Sequence, residues 1–140
     1  MKKLLLLAIL VLSVTYSCTP DDSDSGAIDG PITANIRFEV VATRSSEAII
    51  TTTIDDETET EEVESLPFNK TFSQTEVELG TFLQLTYLEN GTYNVTPDGS
   101  SWTDYTVILT IYINNTAASI GTFVITEGDS EVKQIDFTIN

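Results

Sequence analysis

The chain contains no histidine and a single cysteine, Cys18. Without imidazole, general acid–base chemistry near neutral pH loses its commonest agent. One cysteine can form no internal disulfide, and no Cys/His zinc site can be assembled. Basic residues are scarce: six Lys and Arg stand against 22 Asp and Glu, for a formal net charge of −16. Nucleic acid and anionic membrane surfaces are recognised by clustered Lys and Arg, so the body of this protein is not expected to bind either. No G-x-S-x-G nucleophile motif occurs, which disfavours a hydrolase. These absences lead to the expectation of a protein that is not an enzyme and uses no metal or other cofactor.

Long apolar runs are also missing. The longest, Leu4 to Leu12, falls well short of the roughly 20 residues a membrane-spanning helix needs. Preceded by Lys2 and Lys3, it has the length and charge of the h-region of a secretory signal peptide. Ser17 then stands directly before Cys18. This arrangement resembles the bacterial lipobox, although Thr15 and Tyr16 depart from its usual Leu and small residue. The resemblance implies cleavage after residue 17 and acylation of Cys18, which would tie the mature chain to a membrane. Ordinary secretion, with Thr15 and Ser17 as the small residues of the cleavage site, is the other reading. It would leave Cys18 as a free thiol in an oxidising compartment, where cysteines usually come in pairs. Loss of Lys2 and Lys3 leaves four basic residues against 22 acidic ones, a net charge of −18.

Residues 18–31 are rich in Asp, Ser, Gly and Pro, the composition of a disordered tether. Asp21, Asp22 and Asp24 resemble the acidic export signal of surface lipoproteins of the Bacteroidota. That resemblance implies an outer-membrane protein displayed on the cell surface; a plain soluble linker is the alternative. The segment Asp22 to Gly26 lacks the further acidic ligands of an EF-hand loop.

Residues 32–140 make one domain in which the pattern is β throughout. Ala34, Ile36, Phe38, Val40 and Ala42 alternate with mostly polar neighbours, and Ala48, Ile50, Thr52 and Ile54 repeat the pattern, predicting a hairpin with one buried face. Asp55-Asp56 predicts a turn into an acidic strand, Glu57 to Glu64. Lys70 to Phe72 reads as a short extended piece. Leu83, Leu85 and Tyr87 share one face of the next strand, and Asn90-Gly91 predicts a hairpin returning through Thr92 to Thr96. Pro97-Asp98-Gly99 is a further turn before the most apolar strand, Tyr105 to Ile113. Asn114-Asn115, a strand at Thr122 to Ile125, the Glu127-Gly128-Asp129 turn and a last strand through Ile135, Phe137 and Ile139 complete the chain. With no helical period in any long window, an all-β, antiparallel immunoglobulin-like sandwich of about seven to nine strands is expected.

The order of segments, with Leu66-Pro67-Phe68 ahead of Lys70-Thr71-Phe72, a Leu-x-Leu strand and then Val107 to Ile113, resembles the MmpS-like family of small envelope β-sandwiches. Mycobacterial members of that family assist exporters of lipids and siderophores. The resemblance thus implies a second role, as accessory subunit of an envelope transporter, beside that of a surface binding module.

Three features are candidates for chemistry. The acidic strand could collect calcium in a small adhesive module, or act as a charged edge that discourages strand-to-strand aggregation. The Asn-x-Thr sites at Asn69, Asn90, Asn94 and Asn114 read as products of a Thr- and Asn-rich composition, with Asn90 and Asn114 as turn residues. Strand parity puts Trp102 with Ile108 and Tyr112, opposite the apolar set that starts at Tyr105. Such a strip could bind an extended glycan or a protein surface, whereas Trp102 could equally be tucked under the Pro97 to Ser101 loop.

Overall fold

The structure, a computed structural model, describes residues 30–91 and 95–140. The expected signal segment, Cys18, the expected tether up to residue 29 and Asn94 lie outside them. All regular elements are strands: β1 (Ile32–Ala42), β2 (Ala48–Ile54), β3 (Glu57–Val63), β4 (Phe68–Val77), β5 (Phe82–Glu89), β6 (Val95–Thr96), β7 (Gly99–Ser100), β8 (Tyr105–Ile113), β9 (Thr116–Ile125) and β10 (Lys133–Thr138). Eight of them form two antiparallel four-stranded sheets, ordered β4-β1-β8-β9 and β10-β5-β2-β3, while β6 and β7 make a small ribbon. The fold is the all-β antiparallel sandwich that the alternation predicts.

The inward residues are those the period of two selects. Ile36, Phe38 and Val40 of β1 meet Leu83, Leu85 and Tyr87 of β5 and Val107, Leu109 and Ile111 of β8 in one core, and each of these is 0% exposed. Within it the Phe38 and Phe72 rings stand edge to face, 5.9 Å apart, the arrangement aromatic quadrupoles favour.

Two expected pairings do not form. β1 pairs with β4 and β8, and β2 with β3 and β5, so the predicted β1–β2 hairpin is instead a crossing from one layer to the other. Both strands still bury one face, but on opposite sides of the core. Likewise β5 has β2 and β10 as its two neighbours, and Val95–Thr96, the described end of the expected returning arm, pairs with β7 instead. The Asn90 amide donates instead to the Glu47 carbonyl, 3.1 Å away. By contrast Asn114 and Asn115 both have positive φ, 49° and 65°, as a two-residue turn between twisted strands requires.

The two sides of the sandwich are closed differently. Glu57, Glu59 and Glu61 of β3 lie opposite Ile54, Thr52 and Ile50, on the core-facing side of an edge strand. At the rim the Lys70 Nζ of β4, the edge of the other sheet, donates to the carboxylates of both Glu59 and Glu61. Burial works to lower the Lys70 pKa, and the two carboxylates more than reverse this, holding it above 10.5. Charges turned inward at an edge block further strand pairing. On the far side β9 and β10 approach closely. A Cβ at Gly121 would collide with Ile135 and with the Phe123 ring, so the glycine inside β9 is what allows the two layers to meet there.

One polar atom inside is unmatched. The Thr52 hydroxyl is buried with no hydrogen-bond partner among the described residues. Thr52→Val keeps the shape and removes the stranded group, so it should raise the unfolding free energy by about 1 kcal/mol. A lower urea midpoint in the variant would contradict this.

Candidate functional site

The two outer faces differ in chemistry. That of the β2-containing sheet carries a threonine ladder, in which the Thr51 and Thr60 hydroxyls are 3.0 Å apart and those of Thr53 and Thr58 are 3.1 Å apart. Outward side chains on the other sheet include Val41 of β1, Ile108 of β8, and Ile120 and Val124 of β9, all exposed. Register makes them one patch: Ile108 lies beside Val41 on one flank and Thr122 on the other, and Thr106 lies beside Val124. These four are most of the large exposed apolar residues of the described chain. Single exposed apolar residues need no explanation; here Val41 and Ile108 are direct cross-strand neighbours and Ile120 and Val124 flank Thr122 beside them, which makes this face a candidate contact surface.

One end of this face is polar and fixed. The Glu39 carboxylate accepts hydrogen bonds from Arg37 at 2.5 Å, Tyr112 at 3.1 Å and Asn69 at 3.2 Å, and the Arg37 guanidinium lies 3.7 Å over the Tyr112 ring. Side chains from three adjacent strands are thereby locked in place. An arginine stacked on an aromatic ring offers a flat surface with little rotamer freedom left to lose on binding.

Of the expected strip, Ile108 and Tyr112 share this face, and Trp102 does not. Residue 102 precedes β8, whose first residue is Tyr105, so strand parity cannot be extended back to it. Its half-buried ring packs against the core, 5.9 Å from the Tyr105 ring. Arg44 covers both rings at 4.4 and 4.3 Å, and the indole N–H donates to Asp104 at 3.0 Å. Strand parity missed Val41, Ile120 and Val124. For the latter two the signal was present in the sequence as Ile120-x-Thr122-x-Val124, but Phe123 and Ile125 between and after them made both faces of β9 read as apolar.

A second polar cluster closes the core below Trp102. The Tyr87 and Tyr105 hydroxyls are 2.5 Å apart, and both donate to the Glu89 carboxylate. That carboxylate also accepts from the Ser46 hydroxyl at 2.6 Å and the Gly91 amide at 2.9 Å. Burial, then the hydrogen bond and charge of Glu89, push the Tyr87 phenol well above its ordinary 10.0. The cluster ties β5, β8 and the Ser46 segment together through one carboxylate.

The acidic strand β3 presents Glu59 and Glu61 to Lys70, and among the described residues no group of three or more acidic side chains is arranged to hold a metal ion. No helix there is long and apolar enough to cross a membrane. No family model, no curated protein and no solved structure matches the chain.

Proposed function

We propose that this chain is a non-catalytic, lipid-anchored binding module of the outer-membrane surface, and that it holds an extended partner on the outer face of the β4-β1-β8-β9 sheet. The observation that carries the binding role is the exposed patch of Val41, Ile108, Ile120 and Val124 beside the fixed Arg37–Tyr112 stack. The strands are long enough that such a face accommodates a glycan chain or a protein surface and not a single sugar. The address rests on the lipobox-like Ser17-Cys18 and the acidic residues that follow it.

Photo-crosslinking on intact cells tests both parts. A photoreactive residue in place of Ile108 should give adducts with a partner, and one in place of Thr86, on the opposite outer face, should give few. Equal labelling at the two positions, or adducts only of the chain with itself, would remove the binding reading. In the same cells Cys18→Ala should release the protein from the membrane fraction or block its processing, and unchanged membrane association would refute the anchor.

A further inference from the structure

The two sheets have four edges: β3, β4, β9 and β10. Three of them carry charge. β3 has four glutamates, β4 has Lys70 and Glu76, and β10 has Lys133 and Asp136. β9 runs for ten residues with no charge and no proline. Among the described residues, no hydrogen bond other than the β8 ladder is found on the backbone of Thr116–Ile125. A bulge at Ala118 interrupts the strand, and the regular run Ser119–Ile125 beyond it is a neutral edge on which a further strand can pair.

Its side chains indicate which strand fits. Ile120 and Val124 are 63% and 60% exposed and stand symmetrically about Thr122 on the outer face. In an antiparallel pair with its twofold axis at Thr122, Ile120 of each copy lies directly opposite Val124 of the other, with the two threonines between them. Apolar cross-strand pairs of this kind are a main source of sheet stabilisation, and a surface that fits itself through a twofold is the commonest route to a dimer. Charge narrows the choice further. Two mature copies, each with a net charge of −18, repel through most of their surface, and the neutral β9 edge is where they can approach. A basic strand would find no acid on β9 to pair with.

From this self-complementarity we infer that β9 is a self-association edge, through which two copies join their four-stranded sheets into one of eight. The pairing takes up Ile120 and Val124, which also belong to the binding patch proposed above, and leaves Val41 and Ile108, on interior strands of that face, open to a partner.

The whole core lies between Ala34 and Ile139, so residues 30–140 carry what the domain needs to fold and contain no cysteine. Sedimentation equilibrium of this segment should show a monomer–dimer equilibrium that shifts toward dimer from 0.05 to about 0.5 M salt, as like charges are screened. The double variant Ile120→Glu, Val124→Glu should be monomeric throughout with unchanged circular dichroism. Thr122→Cys should form an interchain disulfide on mild oxidation, since residues directly opposite in an antiparallel pair have Cα atoms about 4.5–5.5 Å apart. Thr60→Cys on the charged β3 edge should not. A monomer at all salt concentrations, or equal cross-linking at positions 60 and 122, would overturn the assignment.

Discussion

Replacing Phe38 with alanine should lower the unfolding free energy by about 3–5 kcal/mol. Phe38 is fully buried at the centre of β1, flanked by Lys70 of β4 and Ile111 of β8 and in edge contact with the Phe72 ring. The substitution removes an aromatic side chain from between the layers, and the cavity cannot collapse because both neighbouring strands are hydrogen-bonded in register. For a domain of this size the melting temperature should fall by roughly 15–20 °C. Phe38→Leu, which keeps most of the volume, should lose about a third as much. Equal losses for the two variants, read by chemical denaturation, would show that the site tolerates volume change and that the core is not organised around this residue.

Glu89→Ala should have the next largest effect, about 2–4 kcal/mol. The carboxylate serves four donors at once, and after its loss the Tyr87 and Tyr105 hydroxyls can satisfy only one of each other, leaving one buried donor stranded. A stranded donor costs about 1–3 kcal/mol, with the lost charged hydrogen bonds in addition. The same cluster predicts an alkaline limit to stability. The folded Tyr87 pKa is raised, first by burial and then by Glu89, so the fold binds the phenolic proton more tightly than the unfolded chain does. This contribution is complete below pH 10 and is lost above it, as the unfolded tyrosine ionises and the folded one resists. The slope should approach about 1.4 kcal/mol per pH unit for one proton. Stability that stays flat from pH 9 to pH 11 in urea titrations would contradict it.

Burial was legible in this sequence far better than pairing. Alternation in β1, β5 and β8 identifies the residues that line the core, because a pleated strand must send every second side chain to one side. It carries no information about which strand lies alongside. Nothing local distinguishes a hairpin at Arg44–Glu47 from a crossing between layers, so β1 and β2 read as partners when they belong to different sheets. Turn chemistry was informative where backbone geometry demanded it, as at Asn114-Asn115, and misleading at Asn90-Gly91, where a neighbour of higher sequence separation already occupied the edge. The strand expected at Thr122 to Ile125 begins six residues late in β9 and so leaves out Ile120 and, next to it, Gly121. Its real role, letting Ile135 approach from the other layer, exists only in three dimensions. For the same reason the Arg37–Glu39–Tyr112 cluster was invisible, since it needs β1 beside β8.

The start and finish of the described domain share one pole. Ile32 pairs with Val77, the Gly80 amide donates to the Ile139 carbonyl at 2.7 Å, and the Ile139 amide donates to Thr81 at 3.0 Å. A chain leaving Ile32 toward an anchor therefore departs from the same end at which the sequence stops, and the Arg44–Trp102–Tyr105 stack crowns the other. An antiparallel β9 pair would set two such poles facing opposite ways, with the Thr116 ends of the two strands, each six residues from the Thr122 axis, about 40 Å apart. Under the anchor proposed at Cys18, both chains would reach a single surface only if the pair reclines, with the joined sheet spread along the membrane. If the domains stand upright, the same contact bridges two opposed surfaces, and the orientation of one strand edge decides between a carpet and a cell-to-cell clasp.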